Sequence, residues 1–392
     1  MIPPLPFTDA DRHLIRALRR DLHAHPELAW KEVETQARLE RALRDVGASD
    51  IRRIAGTGLV ARIHGTGTGA TIALRGDIDA LPITEATGLP YTSQNDGVMH
   101  ACGHDVHASW TVGAALLLAR MPAAGDVLVV LQPAEEIGEG ARAMLESGAL
   151  DEAQAIFGGH VDWRFDVGQV VAQAGPLAAS TDTFRITLRG RGGHGARPHL
   201  AVDPVVGAGA LIMAVQTIVS RRLDPAAPGV VSICTVHGGG APNVIPDVVE
   251  LAGTIRATTP AARALLTSEL ERLSDAIAHA HGLEARVDLT EGTPPLINSA
   301  DAAGWAAAAA REALGDDVLR PLGATNMAGE DFACYLERMP GCFMRFGARE
   351  PGAPPMDVHT PGFAPAEDAL FPAAVVLAHC ARIASRELGS AP

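Results

Sequence analysis

One short segment of the chain, MHACGHDVHAS at residues 99–109, contains four side chains that can bind a metal ion. They are His100, Cys102, His104 and His107. The glycine between Cys102 and His104 permits a tight backbone that can present both side chains to one site. Thiolate and imidazole are ordinary ligands of zinc, and mixed nitrogen and oxygen sites also suit manganese, cobalt or nickel. The segment alone is compatible with a metal site or with a polar loop before a helix.

Further donor side chains follow predicted strands or lie in a distant loop. Glu135 and Glu136 follow the strand predicted at 126–132, His160 lies near the end of another predicted strand, and His359 lies in the loop MDVHTPGF. Adjacent side chains diverge, so one glutamate can bind metal while the other removes a proton from a metal-activated water. Each of these residues alone is more often structural. Their combination favours a hydrolytic metal site.

Composition excludes several other functions. The formal net charge is −14, which argues against a nucleic-acid partner. Lys31 is the only lysine, and its surroundings fit neither a P-loop nor a Schiff base. The five scattered cysteines indicate a reduced compartment. The first residues lack a signal-peptide pattern, and the apolar segments are too short for a membrane span. We therefore expect a cytoplasmic protein with a small-molecule partner and no membrane partner.

The order of predicted elements indicates two domains, as the length of 392 residues also suggests. Strands alternate with helices at first, which predicts a largely parallel sheet covered on both faces. The strands are expected at 70–77, 126–132 and 153–161, and the helices at 8–24, 32–47, 107–121 and 140–148. After an interruption the pattern resumes with helices expected at 299–314, 328–338 and 366–387. The predicted catalytic domain is therefore 1–179 plus 294–392.

The interrupting segment, 180–293, has a different pattern. It is β-α-β-β-α-β, which predicts a ferredoxin-like α+β domain inserted into the α/β domain. Its elements are expected at 182–190, 203–222, 229–239, 247–257, 259–281 and 284–292. The loop GRGGHGARPH contains His194, and Asn243 and Arg256 follow later. Each is ordinary by itself, although an amide and a guanidinium are groups that hold a substrate carboxylate.

Together, these motifs resemble those of the two-metal aminoacylase and carboxypeptidase-type metallopeptidases of family M20, in particular the amidohydrolase branch. That branch includes N-acyl-amino-acid amidohydrolases, hippurate hydrolases and auxin-conjugate hydrolases. The similarity extends nearly end to end. The matching segments are RRDLHAHPELAWKEVET, LRGDIDALPI, GVMHACGHDVHAS, LQPAEE, FGGHV, GRGGHGARPH, NVIP, GTIR, AGEDFACYLERMPG and VHTPGF.

The resemblance implies a binuclear metal centre and assigns roles to residues of this chain. The implied ligands of two divalent ions, zinc or manganese in preference to cobalt or nickel, are Cys102, His104, Glu136, His160 and His359. Glu135 takes the position of the general base. His194 matches a histidine of the inserted domain that polarises the scissile carbonyl, and Asn243 and Arg256 match positions that contact substrate. The inserted domain resembles the family's lid and dimerisation domain, which implies a homodimer.

Two departures from the family pattern affect the assignment. Most of the wider family reads H-x-D where this chain has Asp77-Ile78-Asp79, so Asp79 is expected to orient a ligand. The segment GGHVDW replaces the more usual GLHVWP, which places Asp162 near His160.

We therefore expect a metal-dependent amidohydrolase that cleaves N-acetyl, N-benzoyl or similar N-acyl amino acids, with Glu135 as the base. Short peptides are the other substrate class considered. The alternatives are a dipeptidase or carboxypeptidase, an aromatic amine aminohydrolase, and a binding protein without turnover. A structural zinc site is a further interpretation of the donor residues, but such sites usually have four Cys or His ligands.

Overall fold

A computed structural model describes residues 5–354 and 356–390, which form two compact units. The large unit comprises the chain up to Gly175, then Asn298–Gly323 and the chain from Cys334 onward. The small unit comprises Pro176–Ile297 and Ala324–Ala333. The small unit thus begins before and ends after the predicted insertion at 180–293, and it includes a second, later segment.

The described part of the chain contains nine α-helices. They are α1 (Asp9–Ala24), α2 (Val33–Asp45), α3 (His104–Arg120), α4 (Gly140–Glu146), α5 (Pro204–Thr217), α6 (Pro260–Ala280), α7 (Ala300–Leu314), α8 (Ala333–Leu336) and α9 (Leu370–Gly389). A π-helical turn, Ile218–Arg222, extends α5.

The same residues form fifteen strands. They are β1 (Ser49–Ile54), β2 (Gly58–Ile63), β3 (Ile72–Asp77), β4 (Val127–Gln132), β5 (Ala155–Asp166), β6 (Val170–Val171), β7 (Gly175–Ala178), β8 (Asp182–Arg189), β9 (Gly193–His194), β10 (Gly229–Gly238), β11 (Val244–Ile245), β12 (Val248–Ala257), β13 (Glu284–Thr290), β14 (Leu296–Asn298) and β15 (Gly341–Arg349).

The large unit is built around a seven-stranded sheet in the order β1-β2-β4-β3-β5-β15-β6. The four strands β4, β3, β5 and β15 are parallel to one another. The strands at the two edges are antiparallel. This mixed α/β architecture with a parallel centre confirms the predicted fold class.

Two apolar helices form much of the core of the large unit. Almost every residue of α3 and α9 is buried, because the two helices pack against each other and against the sheet. A helix that is apolar on all sides belongs in such an interior. Two segments, Pro204–Arg222 and Glu367–Gly389, are long and apolar enough to cross a membrane, so the expectation that the apolar segments are too short was wrong. In Glu367–Gly389, 83% of the most apolar window is buried inside the protein, compared with 33% in Pro204–Arg222. Core packing therefore accounts for the composition of Glu367–Gly389.

The small unit contains a four-stranded antiparallel sheet in the order β10-β12-β8-β13. Its chain order is β8-α5-β10-β12-α6-β13, so the predicted ferredoxin-like unit is confirmed. Both helices begin where the sequence indicates. Asp203 caps α5 through the Val205 N–H, and Thr259 caps α6 through the Ala262 N–H.

Several sequence predictions were wrong in detail. The helix predicted at 328–338 is reduced to α8, because the Glu330 carboxylate accepts the Phe332 N–H and competes with helical bonding. The strand that contains His160 does not end there but continues to Asp166. The strands β1, β2 and β15 were not predicted.

Candidate metal centre

The first part of the site is the loop that precedes α3. Gly103 lies at the N-cap of α3 with φ 87°, a left-handed conformation that favours glycine. This turn separates Cys102 from His104, the first residue of the helix. The Cys102 Sγ lies 3.2 Å from the His160 Nε2 on β5. The tight turn thus brings a thiol, two imidazoles and the central sheet together, as the sequence motif predicted.

The second part is the turn that follows β4, which carries both predicted glutamates. Ala134 in this turn has φ 53°, and its carbonyl accepts the N–H groups of Glu139 and Gly140 at 3.3 and 3.1 Å. The compact turn directs Glu135 and Glu136 towards α3. One carboxylate oxygen of each lies 3.9 Å from the His104 Nε2.

The third part is the loop of His359, which is far away in sequence. The His359 N–H donates to the Ala101 carbonyl at 2.8 Å, which attaches this loop to the segment before Cys102. Its Nε2 lies 3.5 Å from a Glu136 carboxylate oxygen, and half of its side chain is exposed. His359 has φ 61°.

Overlapping groups of three donors connect these parts, and in each group the donor atoms lie within 4.8 Å of one another. The groups are Cys102, His104 and His160; Cys102, Glu136 and His359; and His104, Glu135 and Glu136. All the residues that the sequence suggested as ligands, together with Glu135, therefore lie in one cluster of the large unit.

The donors of this cluster fit a metal ion. The His104 Nε2 and the Glu136 Oε1 are buried and have no hydrogen-bond partner among residues 5–354 and 356–390. An unpartnered buried polar atom is costly, and a coordinated cation removes that cost. Thiolate, imidazole and carboxylate form a ligand set that suits zinc and related divalent ions.

Burial also makes the charged forms of several donors unfavourable. It raises the pKa of the Cys102 thiol well above its usual range, and it raises the pKa of Glu136 to about 7 against the opposing effect of His104. Burial lowers the pKa of His160 well below its usual range. Burial is also the largest single influence against the charge on His104, but the Asp77 carboxylate, the Asp79 hydrogen bond and Cys102 together outweigh it and raise the His104 pKa well above its usual range. A nearby cation favours thiolate and carboxylate in such surroundings.

Asp79 contacts two of the segments that carry donors. Its Oδ1 lies 3.2 Å from the His104 Nδ1, and its backbone carbonyl lies 2.9 Å from the same nitrogen. Its Oδ2 accepts the Glu136 N–H at 3.0 Å. With Nδ1 donating to Asp79, the Nε2 of the neutral His104 ring is available to a metal. These contacts join the His104 ring to the backbone of the turn that carries Glu136.

Asp77 adjoins the cluster, with one carboxylate oxygen 3.8 Å from the His104 Nε2, and it has hydrogen-bond partners of its own. Its carboxylate is paired with the buried Arg75 and accepts from the His107 Nδ1 at 2.7 Å. The His107 Nε2 accepts the Val161 N–H at 3.0 Å. Both nitrogens of His107 are therefore engaged in hydrogen bonds. The pairing of Arg75 with Asp77 was not predicted, although residues two apart in a strand lie on the same face.

Asp162, which departs from the family pattern, is paired within its own strand. Its carboxylate accepts from the backbone N–H of Arg164 at 3.0 Å and from the Arg164 guanidinium at 2.7 Å. The ion pair offsets the charge that Asp162 adds to β5 beyond His160.

The small unit carries the other three predicted residues. His194 in β9 pairs with Val244 in β11, and the Gly195 N–H donates to the Asn243 carbonyl at 2.8 Å. His194 and Asn243 are therefore neighbours on one exposed ribbon. Arg256 lies in a different sheet, on β12, where it alternates with the buried residues Ile255 and Ala257.

Comparisons with known proteins agree with the motifs. The model of peptidase family M20/M25/M40 matches residues 73–383. The chain is 40% identical over 381 residues to an N-acetyl-L-cysteine deacetylase from Bacillus subtilis, covering 97% of this chain and 90% of that protein. It is 37% identical over 372 residues to an IAA-amino acid hydrolase from Arabidopsis thaliana, covering 93% and 85%.

A solved structure extends the similarity to three dimensions. It is a dinuclear metal-binding peptidase of the M20 family from Bacillus subtilis, with a TM-score of 0.86 and 36% sequence identity. The alignment covers 97% of this chain and 100% of that chain. The expected relationship is therefore confirmed, and the chain belongs to peptidase family M20/M25/M40.

Proposed function

We propose that the protein is a metal-dependent amidohydrolase that cleaves the amide bond of N-acyl amino acids. The observation that carries this proposal is the buried donor cluster, in which His104 and Glu136 each present an unpartnered atom while Glu135 lies beside them. In this proposal Cys102, His104, Glu136, His160 and His359 hold two divalent ions. Asp79 orients His104 and the backbone of Glu136.

The chemistry assigns separate tasks to the two adjacent glutamates. Bound divalent ions supply positive charge that lowers the pKa of water and polarises a carbonyl group. Glu135 takes the proton of the attacking water on its carboxylate and then delivers it to the nitrogen of the leaving amine. Glu136 stays a ligand throughout, so its carboxylate does not exchange protons. A protein that only binds amino acids has no need of the second carboxylate.

His194 is proposed to donate a hydrogen bond to the carbonyl oxygen as negative charge develops on it. Its Nδ1 accepts the Ala196 N–H at 3.0 Å, so the proton of the neutral ring is on Nε2. The Nε2–H is then the hydrogen-bond donor of this exposed ring. Asn243 and Arg256 are proposed to hold the substrate carboxylate, which an amide and a guanidinium recognise through paired hydrogen bonds.

The N-acyl amino acid class is supported by the activities for which two relatives are named, an N-acetyl-L-cysteine deacetylase and an IAA-amino acid hydrolase. Both names describe an acyl group joined to an amino acid through an amide. We propose zinc or manganese as the metal, because one thiolate accompanies imidazole and carboxylate ligands. Cobalt and nickel are compatible with the same donors.

We also propose a cytoplasmic homodimer. All five cysteines are free, which suits a reducing compartment. The small unit has an edge strand, β10, and exposes Val205, Val206 and Met213 on α5. An edge strand beside exposed apolar side chains suits pairing with a second copy. Light scattering tests this assembly, and a monomer would contradict it.

The proposed function is tested by metal content and turnover in the wild type and in Cys102→Ala. Each protein is reloaded with Zn²⁺ or Mn²⁺, analysed for bound metal, and assayed with N-acetyl and N-benzoyl amino acids, a dipeptide and an aromatic amine. Cys380→Ala is the control, because Cys380 is a buried thiol in α9. We expect close to two metals per wild-type chain, and loss of metal and of N-acyl amino acid hydrolysis only in Cys102→Ala. Hydrolysis of the dipeptide alone, or no turnover after reloading, would refute the proposal.

A further inference from the structure

Glu32 is a buried carboxylate outside the donor cluster, and it joins three separate segments of the large unit. It lies just before α2 and is fully buried. Its Oε1 accepts the Ala134 N–H at 3.0 Å, and its Oε2 accepts the Thr57 hydroxyl at 2.5 Å. Thr57 lies in the turn between β1 and β2, and Ala134 lies in the turn after β4. One side chain therefore fixes the distance between these turns.

The residue that Glu32 holds has an unfavourable backbone conformation. Ala134 has φ 53°, in the left-handed region that residues with a Cβ rarely adopt. Such a conformation persists only where the surroundings hold it. Ala134 immediately precedes Glu135, so its backbone dihedrals determine where the two glutamates leave the turn. A relaxed Ala134 would redirect both side chains.

A second contact joins the same two segments. The Trp30 Nε1–H donates to the Glu139 carboxylate at 2.8 Å, at the other end of the turn. Trp30 also has a positive φ, 62°. The segment around Glu32 therefore contacts the glutamate-bearing turn at both ends, and Glu32 provides the buried contact.

We propose that Glu32 is a positioning residue, which holds the Ala134 peptide so that Glu135 and Glu136 point into the donor cluster. It touches neither the proposed metal ions nor the substrate, and acts through the Ala134 N–H. This inference rests on the proposed function for its consequence in catalysis. Its structural part, the ordering of the turn at residues 133–140, stands independently of turnover.

The length and hydrogen bonding of the Glu32 side chain, rather than its charge, are what the geometry requires. In Glu32→Gln the amide oxygen can accept the Ala134 N–H while the amide nitrogen donates to the Thr57 hydroxyl oxygen, because a hydroxyl both donates and accepts. In Glu32→Asp the carboxylate is one methylene too short to reach both partners. In Glu32→Ala both contacts are lost.

The matched control is Glu27, a carboxylate on the same segment. Its two oxygens accept the N–H groups of Glu34 and Thr35 at 3.3 and 2.8 Å, at the start of α2. Glu27→Ala removes a partly buried, hydrogen-bonded carboxylate from this segment without removing a contact to Ala134. The kcat and the exchange protection of Glu27→Ala therefore show the effect of a general loosening of this segment.

The experiment measures kcat and KM on metal-loaded protein and amide hydrogen exchange on metal-free protein. Since a misplacement of about 1 Å can cost about 100-fold, we expect kcat to fall about 10- to 100-fold in Glu32→Asp and Glu32→Ala, with little change in KM. The peptide spanning 133–140 should lose exchange protection in the same variants, while α9 keeps it. Glu32→Gln and Glu27→Ala should resemble the wild type in kcat and in protection of 133–140.

Two results would overturn the inference. One is unchanged kcat and unchanged protection of 133–140 in both Glu32→Asp and Glu32→Ala. The other is a Glu32→Gln variant as defective as Glu32→Ala, because the amide preserves both hydrogen bonds. If the wild type hydrolyses no N-acyl amino acid, the proposed function fails, but the exchange measurement still decides whether Glu32 orders the turn.

Discussion

Replacing Gly103 by alanine should destabilise the protein much more than replacing Gly97, although both glycines have a positive φ. Gly103 has φ 87° and Gly97 has φ 76°. A Cβ on residue 103 would lie 2.7 Å from the Val161 Cγ2, whereas one on residue 97 would meet nothing within 4 Å. The left-handed conformation costs about 1–2 kcal/mol for either alanine. Overpacking against Val161 adds about 1–3 kcal/mol, so Gly103→Ala should cost about 2–5 kcal/mol in total.

Urea unfolding of the metal-free proteins measures these free energies of unfolding, and elemental analysis measures the metal bound after reloading. Gly103→Ala should also bind less metal, because Gly103 separates Cys102 from His104 and a moved turn misplaces both donors. The double variant Gly103→Ala/Val161→Ala should lose less stability than the sum of the losses in the two single variants, since the shortened residue 161 removes the clash. If Gly103→Ala matches Gly97→Ala in stability and keeps its metal, the turn accepts a Cβ and the reasoning is wrong.

Four further substitutions test the catalytic roles and the contribution of buried and exposed ion pairs. Glu135→Ala should keep its metal by elemental analysis and lose turnover, and an active variant would place the base elsewhere. His194→Ala should lose about 2.7–4 kcal/mol of transition-state stabilisation, a fall in kcat of about 10²–10³-fold, with metal content unchanged; an undiminished kcat would contradict its role. Arg19→Met leaves the buried Asp105 without its guanidinium and should cost about 3–5 kcal/mol in urea unfolding. Arg16→Met removes a partly exposed ion pair and should cost at most about 1 kcal/mol, so equal losses would refute the distinction.

The sequence was informative wherever function and local conformation depend on the same few residues. The glycine of CGH, the paired glutamates after β4 and the β-α-β-β-α-β order are local patterns, and each could be interpreted without knowing distant contacts. The same holds for Asp203 and Thr259, whose side chains cap helices that begin at the next residue. These patterns were sufficient for the fold class and for a list of donors.

The features that were not predicted from the sequence depend mainly on contacts between residues that are distant in sequence. Glu32 and Ala134 are 102 residues apart, so nothing near either residue indicates the hydrogen bond between them. The central strand β15 was not predicted, since the buried Arg345 interrupts its apolar run. The strand β1 has no buried side chain, exposes Asp50, Arg52 and Arg53, and pairs with β2 at the edge of the sheet. Periodicity carries little information in such segments.

The register of the parallel strands explains why donors from distant segments meet. Asp77, the last residue of β3, pairs with Gln132, the last residue of β4, so the chain leaves both strands at the same level. Leu74 pairs with Phe157, and the same spacing carried along both strands sets His160 level with Asp77. The donors after β4 therefore emerge at the same edge of the sheet as His160, with β3 between the two strands. Since side chains alternate between the faces of a strand, a shift of β5 by one residue would turn His160 to the opposite face and separate it from Cys102.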